Sequence, residues 1–77
     1  MVTIHREAGM RFVIYSDDHE PAHVHVAAGG SANLLGLDGA PELVRSFGLK
    51  TGELRKAMRI ASERQEEFLR KWNEIHG

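Results

Sequence analysis

The stretch Asp17-Asp18-His19-Glu20-Pro21-Ala22-His23-Val24-His25-Val26 decides how the chain is read. After Pro21 it alternates imidazole and valine, and on a β-strand successive side chains point to opposite faces. Val24 and Val26 are therefore directed into a core, and His23 and His25 share the other face. Pro21 fixes φ and lacks an N–H, so strand pairing resumes only after it. Residues 16–22 are a polar connection, and a strand runs over 23–28.

Upstream, Val2 to Arg6 alternates, with Val2 and Ile4 on one face and Thr3 and His5 on the other. Ala8-Gly9 signals a turn before Arg11-Phe12-Val13-Ile14-Tyr15, so the two runs predict a β-hairpin. Downstream, Gly29-Gly30-Ser31 reverses the chain into the weaker run 32–37. Asp38-Gly39-Ala40-Pro41 turns it again into Glu42 to Phe47. The expectation is a meander of four or five short strands.

From Thr51 the period changes. Leu54, Met58, Ala61, Phe68, Trp72 and Ile75 recur at helical spacing, flanked by Ala57 and Leu69. One straight helix over this region would be ~39 Å long, too long for a globule whose expected radius of gyration is ~11 to 12 Å. Ser62 followed by Gln65 fits a capping box, so the helical region is either bent or split near Ser62. The fold class is α+β: an antiparallel sheet at about 2–47 against a helical segment at about 51–76, in one domain spanning 1–77. The alternative is a helical segment that projects to pair with a second protomer.

A core of this size supplies only ~3 to 5 kcal/mol, so any additional tie matters. With no cysteine, disulfides and thiolate zinc sites are excluded. A staple must be a metal on histidine, a partner chain or a second copy. Net charge is −1, without the overall basic field of a nucleic-acid binder, although the balance is −3 over residues 1–40 and +2 over 41–77. The N-terminal residues hold no apolar run long enough for a signal peptide or membrane span, and the expectation is a cytoplasmic protein.

Three of the five histidines fall between positions 19 and 25 beside three carboxylates. A metal needs imidazoles and carboxylates converging within ~2.0 to 2.2 Å of one point. His23 and His25 are the rigid pair and His19 a ligand from the loop. Asp18, Asp17 or Glu20 is a fourth ligand or an acceptor for an imidazole N–H. Imidazoles favour a transition metal such as zinc over magnesium or calcium. The same residues admit three other readings: an anion in place of the metal, acid/base chemistry on a phosphodiester, with Arg6, Arg11 and Lys50 as anion binders, or structural histidines that stiffen a loop. Trp72, Phe68 and Leu69 read as core anchors. Arg55, Lys56, Arg59 and Arg70 read as a solvated face, with the first three forming a small polyanion patch.

The run Tyr15 to Val26 closely resembles the signature of the bacterial family named domain of unknown function 4160. There a strand and a small polar loop lead into Asp/Glu-His-x-Pro-Pro-His-x-His. His19, Pro21, His23 and His25 fall on that motif, with Ala22 where a second proline is usual. The resemblance extends back through Thr3-Ile4-His5-Arg6 and Gly9, and forward through Lys50 to Trp72. It implies a bacterial protein encoded beside a small partner from the same operon, in an arrangement for which toxin–antitoxin roles have been raised.

Overall fold

The computed structural model describes residues 2–18, 21–35 and 41–77. Strands β1 (Val2–Glu7), β2 (Met10–Ile14), β3 (His23–Ala27), β4 (Ser31–Leu35) and β5 (Glu42–Phe47) form one antiparallel sheet in the order β1-β2-β3-β4-β5. Helices α1 (Thr51–Glu63) and α2 (Gln65–His76) follow. Ala8 and Gly9 both have positive φ, 54° and 75°, the conformation that closes two-residue hairpins with the twist of the flanking strands.

The alternation on β3 turns out as its valines require. Val24 and Val26 are fully buried and share a core with Met10, Phe12, Ile14, Ala32 and Leu34 from the sheet and Ala57, Ile60, Ala61, Phe68 and Trp72 from the helices. Ile60 lies outside the expected apolar stripe yet is only 1 % exposed. The helices therefore cover the sheet face that carries Phe12 and the valines, and the helical segment does not project away from it.

Two expectations are corrected. The register of β1 on β2 shifts between Thr3 and His5, so His5 pairs with Phe12 and Ile4 is the inserted residue. A bulge of this kind breaks strict alternation. His5 consequently joins the core side, 5.8 Å by ring centroid from both Phe12 and Phe68, while Ile4 also packs against the core.

The helical break falls at Arg64 rather than at a Ser62 cap. Arg64 leaves helical geometry at φ −112° and ψ 23°, and no side chain caps α2. The backbone ladder nevertheless continues through the bend. Arg64 N–H donates to Ile60 O at 3.0 Å, and Phe68 N–H donates to Arg64 O at 2.9 Å. The Arg64 side chain donates to Glu7 and to Glu67, each at 3.3 Å, which ties the bend to β1. Two helices of ~20 and ~18 Å fit a molecule with a longest extent of 33 Å and a radius of gyration of 11.1 Å. A single ~39 Å rod would not.

Candidate metal centre

His23 and His25 lie on the sheet face opposite the valines, and the loop from β2 returns over that face to bring Asp18 against them. Tyr15 and Asp18 clamp each other. Asp18 N–H donates to Tyr15 O at 3.1 Å, and Tyr15 N–H donates to Asp18 Oδ2 at 3.2 Å. That same oxygen lies 3.1 Å from His25 Nε2 and 3.3 Å from His23 Nε2.

One ligand atom from each of Asp18, His23 and His25 falls within 4.8 Å of the others. The edge of a tetrahedron with ~2.0 Å bonds is ~3.3 Å, so both measured edges have the length that a tetrahedral first-row metal requires. The three side chains are largely shielded, 17 % exposed for Asp18 and His23 and 24 % for His25.

The outer nitrogens are committed elsewhere. His23 Nδ1 is 2.9 Å from Pro21 O, and His25 Nδ1 is 2.7 Å from Asn33 Oδ1. A carbonyl oxygen only accepts, so each Nδ1 carries a proton and donates it. In a neutral imidazole the Nε2 is then the lone-pair atom. Two lone pairs converge on a carboxylate oxygen, which is repulsive until a cation, a proton or a metal ion, sits among them.

Rings continue the wall. Tyr15 meets His25 edge-on at 4.7 Å, His25 meets His23 at 5.2 Å, and His23 lies 5.1 Å from the Trp72 ring. Trp72 in turn stacks on His76 at 3.8 Å. Trp72 is thus both the core anchor expected from its spacing and the base on which His23 rests.

Of the other candidates, His19 and Glu20 lie outside the described residues. Asp17 is exposed in the turn and makes no contact with the cluster among the described residues. Lys50, Arg55, Lys56 and Arg59 are exposed on or before α1, with Arg59 paired to Glu63 at 3.3 Å. His5 is engaged apart from the cluster by Glu7 at 2.8 Å. Its hydrogen bond, together with Arg64, holds the Glu7 carboxyl below its ordinary value against the opposing effect of burial.

Sequence reasoning missed Asn33 and Tyr15. Asn33 was open to inference: a reversal centred on Gly29 pairs residue 25 with residue 33, the register observed.

A five-stranded meander backed by a bent helical pair, with an Asp/His cluster at the start of its middle strand, defines a small α+β protein with a preformed imidazole–carboxylate site. The chain belongs to the family described as Domain of unknown function (DUF4160), whose model matches residues 9–73. No curated protein and no solved structure matches it.

Proposed function

We propose that Asp18, His23 and His25 bind a divalent transition metal, zinc being the best fit to two imidazoles and a carboxylate, and that the protein is a metal-binding module. The observation that carries this reading is the protonation pattern. Both Nδ1 atoms are spoken for by acceptors, so with neutral imidazoles both Nε2 atoms are left as electron-pair donors, 3.3 and 3.1 Å from Asp18 Oδ2. Asn33 and the Pro21 carbonyl hold the rings in that tautomer, and such outer partners commonly set metal affinity. His19, from the loop between Asp18 and Pro21, is the proposed further ligand.

The acid/base reading uses the same histidines on a phosphodiester. It is less well supported, because a general acid and a general base need different protonation states, whereas both rings place Nδ1 on a carbonyl acceptor and Nε2 against the same Asp18 oxygen. The bacterial setting and a small partner protein from the same operon, in a toxin–antitoxin-like pair, are proposed on the family resemblance; the cytoplasmic setting is proposed on the cysteine-free composition, and a second copy on the small size of the core.

Metal content and melting temperature of untagged protein, with and without chelator, test the metal reading. Binding to the native state alone at a hundredfold excess over Kd adds about 2.7 kcal/mol, a rise of roughly ten degrees or more for a chain this small. No stoichiometric metal and equal melting temperatures would sink it.

A further inference from the structure

The helices cover one face of the sheet, and the register shows what the other face carries. One row across it reads Arg6, Arg11, Ala27, Ser31, Phe47. The adjacent row reads Thr3, Val13, His25, Asn33, Arg45. Directly opposed residues on neighbouring strands share a face, and rows two residues apart are ~7 Å from each other.

Arg6 faces Arg11, an arrangement of like charges that costs stability. Among the described residues none of Arg6, Arg11 and Arg45 has an ion pair or side-chain hydrogen bond. Among the described residues the acidic groups placed on this side are Glu42, in the row of His23 and Leu35, and the loop carboxylate Asp18. Between the arginine pair and Phe47 the row holds only the small side chains of Ala27 and Ser31. Phe47 is 80 % exposed at its far end and Tyr15 is 37 % exposed beside His25.

We propose that this face, away from the helices, binds single-stranded nucleic acid around the buried Val13, with Arg6, Arg11 and Arg45 holding phosphates and Phe47 and Tyr15 stacking on bases. Unpaired guanidinium groups kept opposite each other are complementary to a polyanion. An aromatic ring left in water on the same face is the platform that unstacked bases use. The chain's net charge of −1 does not oppose this, because the excess of cations is local to the two rows. The inference is independent of metal binding.

The test is fluorescence anisotropy of a labelled single strand of roughly ten nucleotides, titrated at several salt concentrations with chelator present throughout, so that failure of the metal reading leaves it unaffected. Binding is expected to weaken with salt at a slope of about −0.7 per phosphate contact. Each of Arg6→Gln, Arg11→Gln and Arg45→Gln should lower the slope by about that amount. Phe47→Ala should weaken binding by roughly tenfold. All four side chains are exposed or half-exposed, and circular dichroism would verify the fold; the corresponding Arg→Lys variants should restore the salt slope. Three results would overturn the proposal: no binding at low salt, an unchanged slope in the triple Arg→Gln variant, or equal affinity for a duplex with Phe47→Ala neutral. The last outcome would mark a simple polyanion surface.

Discussion

At the scale of single residues, the site depends on which atoms are left free. Asn33 never reaches the centre of the cluster, yet its Oδ1 fixes the proton of His25 on Nδ1 and so turns Nε2 toward Asp18. Replacing it removes the acceptor without touching a ligand. Asn33→Ala is expected to weaken zinc binding by about 10- to 100-fold while leaving one ion per chain, as read by competition with a chromogenic chelator. Unchanged affinity would show that the ring orientation is set by Tyr15 and His23 alone. The residue types at the site were legible in the sequence, because alternation over 23–26 needs only the two-residue period of a strand. Which carboxylate joins them was not, since Asp17 and Asp18 differ only in how the loop turns, and the mutual hydrogen bonds with Tyr15 select Asp18.

At the scale of elements, the sheet is held by close approaches that local sequence signals do not reveal. A Cβ on Gly30 would lie 2.4 Å from Phe47 O and 2.5 Å from the Gly48 carbonyl carbon, so the turn between β3 and β4 can pass the exit of β5 only without a side chain. Backbone cannot move aside as a flexible side chain does. Gly30→Ala should therefore cost about 1 to 3 kcal/mol, measurable by urea denaturation, and a neutral effect would mean that the two turns are free to separate. The helical bend was legible as a necessity of length and not in position, because Arg64 caps nothing with its side chain and is held instead by Glu7, a contact 57 residues distant in sequence. The His5 hydrogen bond and then Arg64 hold Glu7 below its usual 4.5. A carboxyl whose folded value is depressed contributes stability that is complete above the unfolded value and lost as pH falls through the folded one. The stability difference between wild type and Glu7→Gln should accordingly be constant near neutrality and shrink below about pH 4.5. A difference that persists undiminished into acid would show that the Glu7 contacts do not depend on its charge.

At the scale of the whole molecule, one face of the sheet carries the core and the other the Asp/His cluster, and β3 contributes to both. The division was visible in the sequence wherever alternation was clean, on β3, and hidden where a bulge interrupts it: the inserted Ile4 returns His5 to the core side. Trp72 joins the two halves, 1 % exposed within the core and in ring contact with His23. Its truncation to Ala should cost roughly 3 to 5 kcal/mol, enough to leave little folded protein in a thermal melt unless a bound metal compensates. A scarcely shifted melt would contradict its place as anchor. The proposed metal site of Asp18, His23 and His25 is tested most directly by calorimetric titration of untagged, chelator-stripped protein with zinc near neutral pH. The expected result is saturation at one ion per chain in the wild type, loss of the binding heat in His23→Ala/His25→Ala, and weakening toward acid as protons compete for the same nitrogens. Absence of a saturable heat, or a double variant that binds zinc as the wild type does, would contradict it.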